Sequence, residues 1–158
     1  MKQVAAFIIS LVVVYAAAAI GGIGSANAPV FYRELSLPAF APPAWWFGPV
    51  WTTLYTLMGI GAYLIWRRRE QAGAQRALQI FAVQLVLNVL WSWIFFAWYQ
   101  GALAFVEILL LLAAIVAMLV SFWRVNKVAA LLQIPYLLWV SFATLLSFQI
   151  WQLNPGVL

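Results

Sequence analysis

Indoles, phenols and side-chain amides are the groups in this sequence that could do chemistry, because the usual catalytic side chains are missing. The 158 residues include no Cys and no His, and the only acids are Glu34, Glu70 and Glu107. That composition excludes thiolate nucleophiles, disulfides, Cys/His metal sites and imidazole acid–base catalysis. Three scattered acids are too few to cage a metal ion, so neither a metal site nor a cofactor is expected. Ten Trp, six Tyr and eleven Phe stand out instead. The stretch "WWFGPVWTTLY", Trp45 to Tyr55, carries five of those rings. Lipid tails ask only for bulk, whereas a buried indole N–H or phenol O–H needs a partner.

Position separates two kinds of tryptophan. Trp45, Trp46, Trp66, Trp98, Trp123 and Trp151 fall near the ends of long apolar runs, where amphipathic rings form interfacial belts. Trp51, Trp91, Trp93 and Trp139 lie deeper. Counting helical rise from the outer end of each helix, Trp51 is roughly 9 Å in, Trp91 about 11 Å and Trp139 about 18 Å. Polar residues accompany them at helical spacing. Gln84, Asn88 and Ser92 recur every four residues, with Trp91 and Phe95 flanking the same face. Trp51, Tyr55 and Gly59 form a second stripe, and Trp139, Ala143, Ser147 and Trp151 a third that begins just after Pro135. Polar groups are costly against hydrocarbon, so these stripes face inward. Two readings are open. Interhelical hydrogen bonding, worth about 0.6 kcal/mol per contact, accounts for Gln84 or Thr52. Large rings beside Gly59, Ala143 and Ser147 read better as the wall of a cavity.

The elements that must position these residues are membrane spans. Hydrophobic residues make up 68% of the chain and charged residues 7%, with a mean hydropathy of +1.03. A soluble domain covers itself with about 25% charged residues, so the solvent here is lipid. One crossing takes about 20 apolar residues, and five runs qualify: Val4–Ile23, Trp45–Trp66, Ala77–Tyr99, Ala102–Trp123 and Val128–Leu153. None alternates as a membrane β-strand does. The expected fold is an all-α integral membrane protein, a five-transmembrane-helix bundle forming one domain over residues 1–158. The first run has a second reading as a cleaved signal peptide ending at Ala26-Asn27-Ala28. Its length and the following Pro29 favour a retained helix.

Charge sets the orientation. Lys2, Arg67, Arg68, Arg69, Arg76, Arg124 and Lys127 share one side of a five-span bundle, and Arg33 alone lies on the other. The excess marks the cytoplasmic side, which places the N-terminus inside and the C-terminus outside. It also explains the net charge of +5 without a nucleic-acid partner. The first loop, Gly24 to Ala44, is long enough to suggest function or disorder. It holds "VFYREL", a possible short helix, and is stiffened by Pro38, Pro42 and Pro43. A lid is the expectation, a plain connector the alternative. A tight turn is expected at Tyr99-Gln100-Gly101. The small pairs Ala17/Gly21 and Ala18/Gly22 permit close helix approach. Glu107, the one acid within a span, is expected at the interface, with a proton relay as the alternative. Leu111 is expected to face lipid.

Three segments carry a resemblance: "FYRELSLPAFAPPAWWFGPVWTTLYTLMGIGAYLIW", "QLVLNVLWSWIFF" and "PYLLWVSFATLLSFQIWQLN". From Phe31 to Asn154 the chain resembles the TspO/MBR family, the tryptophan-rich sensory proteins and translocator proteins that include the peripheral benzodiazepine receptor. The first helix matches in length and small-residue content. The resemblance implies a five-helix bundle, usually a homodimer, with a ligand pocket closed by the first loop. It implies binding of porphyrins such as protoporphyrin IX, and of other flat hydrophobic ligands, in tetrapyrrole regulation or stress response. A bacterial-type member in the cell membrane is expected. The pocket positions that carry over are Tyr32, Pro43, Trp51, Tyr55, Asn88, Trp91, Ser92, Phe95, Trp139, Ala143 and Ser147.

Some bacterial members degrade protoporphyrin in light through two pocket tryptophans, which match Trp51 and Trp139. No residue is assigned as catalytic unless that activity is present. Three functions stay open: a porphyrin receptor or sensor, a light-dependent porphyrin-degrading enzyme, and a porphyrin or lipid transporter. The chain also departs from the family pattern. The family's K-P-x-W-x-P-P reads Leu37-Pro38-Ala39-Phe40-Ala41-Pro42-Pro43, Ser147 stands where many members have Asn, and Phe148 and Gln152 break the vertebrate cholesterol motif.

Overall fold

The structure, a computed structural model, describes residues 2–158. It is built from helices: α1 (Lys2–Gly24), α2 (Ala28–Glu34), α3 (Phe47–Trp66), α4 (Ala74–Ser92), α5 (Gly101–Val125), α6 (Lys127–Leu131) and α7 (Ile134–Leu153). A 3-10 turn, Ala44–Trp46, leads into α3, and a π turn, Trp93–Ala97, extends α4. Four segments are long and apolar enough to cross a membrane: Lys2–Gly24, Ala74–Ala97, Gly101–Val125 and Lys127–Leu153. Helix α3 has 20 residues but dilutes its apolar content with Thr52, Thr53 and Thr56 among its aromatics.

The long helices pack with α5 against α4 and α7, and with α1 against α3 and α4. Their outward faces are apolar. Val4, Ile8, Val12, Val86, Val106, Leu110 and Leu138 are all exposed, as befits a surface solvated by hydrocarbon. At the basic end, Arg69 lies 4.3 Å from the ring of Trp66 and Lys127 5.4 Å from that of Trp123. There Arg68 Nη1 donates to the Val125 carbonyl at 2.6 Å, occupying an orphan acceptor of the last turn of α5. Gly73 takes φ +87° before α4, a left-handed turn that glycine adopts without steric cost.

Three local features differ from straight spans. The run expected at Val128–Leu153 is broken between α6 and α7. Pro135 has no N–H for the carbonyl four residues back and its ring crowds that turn. Gln133, fully buried in the break, donates to the Leu57 carbonyl at 3.1 Å and stitches it to α3. The run expected at Ala77–Tyr99 begins earlier, at Ala74, and ends in the π turn, where Trp98 N donates to Trp93 O at 2.9 Å. Tyr99 closes it with φ +53°, uncommon for an aromatic residue. That conformation is held by the Tyr99 ring against Phe31, 4.7 Å between centroids, and by Asn27 Nδ2 donating to its hydroxyl at 3.0 Å. Lastly, Trp45 and Trp46 precede α3 in the 3-10 turn instead of opening the helix.

Glu107 and Leu111 also differ from expectation. Both are buried, at 4% and 2% exposure. Rotation about α5 decides this, since both share the stripe with Ala104, Ile108 and Ile115 that turns into the bundle. About six residues of depth, roughly 9 Å, is too far for the short glutamate to reach water.

Candidate functional site

Three of the four deep tryptophans, Trp51, Trp91 and Trp139, converge on one cavity of about 520 Å³, within the range of pockets that enclose small ligands, while Trp93 packs against Gly24 of α1. All five long helical segments contribute. Trp51 and Tyr55 come from α3, and Asn88, Trp91 and Ser92 from α4. Phe95 and Phe96 enter from the π turn, Ile108 and Leu111 from α5, and Trp139, Ala143 and Ser147 from α7. Tyr15, Ala18, Gly21 and Gly22 of α1 line another side, and Tyr32 of α2 reaches in from the first loop.

A hydrogen-bonded chain forms at its base. Tyr55 O–H donates to Asn88 Oδ1 at 2.5 Å, and Asn88 Nδ2 donates to the Tyr136 hydroxyl at 3.1 Å. Tyr136 O–H in turn donates to Gln84 Oε1 at 2.9 Å. The stripe of Gln84 and Asn88 thus binds α3, α4 and α7 together, and each phenol keeps its O–H satisfied where no water reaches. Trp51 lies against both phenols, 5.6 Å from Tyr55 and 6.3 Å from Tyr136 between ring centroids. Trp91 stacks on Phe95 at 5.0 Å and 13°. The π turn has a consequence here, because it lets the consecutive residues Phe95 and Phe96 both line the cavity. Such turns recur at functional sites.

Two polar atoms in the wall are left over. Trp91 Nε1 and Ser147 Oγ are buried and have no hydrogen-bond partner among the described residues. A buried unsatisfied donor costs about 1–3 kcal/mol. The Glu107 oxygens are likewise unpartnered among the described residues, although the residue sits behind Ile108, outside the cavity lining.

First-loop residues Ser25, Ala28, Pro29, Tyr32 and Ala44 also line the cavity. Tyr32 O–H donates to the Pro42 carbonyl at 2.9 Å, and burial pushes its phenol pKa up, so it stays a neutral donor. Asn154, just beyond α7, accepts from Ser36 N at 2.8 Å and donates to Ser36 O at 3.0 Å. Phe40 meets Phe142 edge-on at 6.1 Å.

Of the eleven residues expected at a pocket, ten line this cavity. Pro43 does not; it lines a shallower groove on the far side of Trp139, with Phe40, Trp46, Leu54 and Leu138. Trp151 leaves the α7 stripe and packs on Phe105 and Phe148. The α1 residues and the α5 pair Ile108 and Leu111 were missed. One signal could have found the pair: an acid within a span must face inward, and Leu111 lies four residues after Glu107 on the same stripe.

A sequence model of the TspO/MBR family matches residues 8–152, first helix included. The chain belongs to the TspO/MBR family. It is 41% identical over 145 residues to the tryptophan-rich protein TspO of Chlorobaculum tepidum, covering 87% of this chain and 90% of that one. It is 41% identical over 130 residues to the Homo sapiens translocator protein, covering 80% and 76%. Protein CrtK of Rhodobacter capsulatus is 37% identical over 143 residues, 89% of each chain. This TspO/MBR chain is therefore a membrane protein, and three of its ten tryptophans, Trp51, Trp91 and Trp139, line an internal cavity.

Proposed function

We propose that this TspO/MBR chain is a membrane receptor or sensor for porphyrins such as protoporphyrin IX, held in the cavity beneath the first loop. One observation carries the reading: rings from three different helices, Trp51, Trp91 and Trp139, line a single cavity. Its apolar, ring-rich walls match a conjugated ring system. The first loop acts as a lid that stays closed over one end of the cavity. Helix α3 is the fifth span, because its length suffices and its polar side chains turn inward or bond their own backbone, as Thr53 Oγ1 does to Pro49 O at 2.9 Å. The protein works as a homodimer in a bacterial cell membrane with its N-terminus in the cytoplasm. The orientation predicts opposite signals from topology reporters fused after Gln71 and after Leu158; matching signals contradict it.

Light-dependent porphyrin breakdown is the second reading, favoured by Trp51 and Trp139 lining the same cavity. Under illumination, bound protoporphyrin should then disappear faster with the unaltered chain than with Trp51→Phe or Trp139→Phe. Equal rates exclude catalysis and leave binding in place. Transport is less well supported, since no inverted repeat or pair of broken helices is visible in the sequence.

A further inference from the structure

We propose that the cavity exchanges its ligand sideways, with the lipid leaflet on the first-loop side, through a gap between α1 and α3. This rests on the reading of the cavity as a site for a flat hydrophobic molecule, and it names the phase that supplies that molecule.

Helix α1 does not stay against one neighbour. Its first half packs on α3: Phe7 meets Tyr63 edge-on at 5.2 Å, and Leu11 and Val14 are the neighbours of Gly59. Its second half packs on α4. Gly21 faces Ser92 and Val89, Gly24 faces Trp93, and the Trp93 N–H donates to the Ile20 carbonyl at 3.1 Å. Tyr15 marks the crossing, its hydroxyl sharing a hydrogen bond with Thr56 Oγ1 at 2.7 Å. Beyond Tyr15 the two helices diverge.

The cavity is exposed along that divergence. Its exposed lining residues are Tyr15, Gly22, Pro29, Ala44, Gly48 and Thr52, from α1, α3 and the loop between them. Every lining residue supplied by α4, α5 and α7 is buried or half-buried. A Cβ placed on Gly22 or on Gly48 meets no atom within 4 Å, so both glycines border open space. From Tyr15 to Gly22 the gap runs about 10 Å along α1, roughly a third of a hydrocarbon core.

The rim is finished for lipid. Thr52 Oγ1 donates to Gly48 O at 2.9 Å, Thr56 Oγ1 to Thr52 O at 2.8 Å and Ser25 Oγ to Gly21 O at 3.0 Å. With Tyr15 bonded to Thr56, no rim hydroxyl requires water, so hydrocarbon can lie against it. The loop side is fastened by the Tyr32–Pro42 bond, the paired Ser36–Asn154 bonds and the Phe40–Phe142 contact. Passage there breaks all of these. Passage through the gap leaves them intact.

Protoporphyrin IX transferred between preloaded and empty lipid nanodiscs tests this. The double variant Gly22→Leu, Gly48→Leu adds bulk at two positions where a Cβ meets open space. Both positions line the cavity, so Kd is titrated alongside; uptake should slow by about ten-fold whatever the change in Kd. Replacing Pro42-Pro43 by Gly-Gly should leave uptake and release unchanged. Unaltered rates in the filled variant, with faster release from the Gly-Gly variant, overturn the proposal in favour of the loop route. Failure of the underlying reading shows separately, as absence of saturable porphyrin binding by the unaltered chain. The gap is then judged without porphyrin. The chain has no cysteine, so Gly22→Cys carries a single bimane label. Spin-labelled lipid should quench that label and aqueous iodide should not; the reverse contradicts a lipid-facing gap.

Discussion

Trp139→Ala is expected to weaken protoporphyrin binding at least about thirty-fold. The indole forms the partition between the cavity and the outer groove, braced by Phe47 at 5.9 Å and Phe142 at 5.6 Å between centroids. Truncation removes the stacking surface and also joins the two spaces, so a ligand loses contact on one whole side. A buried aromatic anchor of this kind commonly contributes 2 kcal/mol or more, which converts to about that thirty-fold. Fluorescence titration in nanodiscs measures it. Leu110→Ala is the matched control: Leu110 is 57% exposed on the lipid face, and its loss should leave affinity unchanged. An unimpaired Trp139→Ala variant means that the aromatic wall is not the site.

The second large effect concerns folding. Asn88→Leu keeps the branching and heavy-atom count of the side chain but removes the acceptor of Tyr55 and the donor to Tyr136. Interhelical hydrogen bonds in membranes average about 0.6 kcal/mol because the unfolded helices find other partners. The phenol left behind costs more than the lost bond. Tyr55 is buried and has Asn88 as its hydrogen-bond partner, and an orphaned buried donor costs about 1–3 kcal/mol. Tyr136 still donates to Gln84. We therefore expect a loss of about 2 kcal/mol in unfolding assays, concentrated at Tyr55. Adding Tyr55→Phe to Asn88→Leu should restore part of it, since the stranded hydroxyl goes. A double variant less stable than Asn88→Leu alone contradicts this assignment.

The aromatic half of the site was legible because polar atoms betray the inward face of a helix in lipid. Gln84, Asn88 and Ser92 mark that face on α4, and Tyr55 and Ser147 mark it on α3 and α7, so the rings sharing their stripes could be placed. Helix α5 is apolar all round, and its periodicity does not reveal which way Leu111 turns. The lone polar mark, Glu107, was read by depth, whereas rotation about the helix decides its burial. Small residues on α1 were legible as packing surface, and part of that reading holds: Ala17 and Gly21 are buried, though Gly21 lines the cavity together with Ala18 and Gly22. The two faces are one residue apart, and only the change of partner from α3 to α4 along α1 distinguishes them. The π turn was not legible at all. It arises where Phe95 and Phe96 must both pack, against Trp91 and Phe31, and no local residue signals it. The break before α7 was visible as Pro135, but its tie to Leu57 through Gln133 is a tertiary contact.

Induced circular dichroism in the porphyrin Soret band tests the central claim most directly. A flat porphyrin dissolved in a bilayer is achiral, whereas one held among Trp51, Trp91 and Trp139 takes on the handedness of its surroundings. Titrating the purified protein in nanodiscs with protoporphyrin IX should give a Soret signal that saturates at about one porphyrin per chain, as for a single preformed pocket. It should shrink in Trp139→Ala and persist in Leu110→Ala. A porphyrin that enters the nanodisc without any saturable Soret signal contradicts the account.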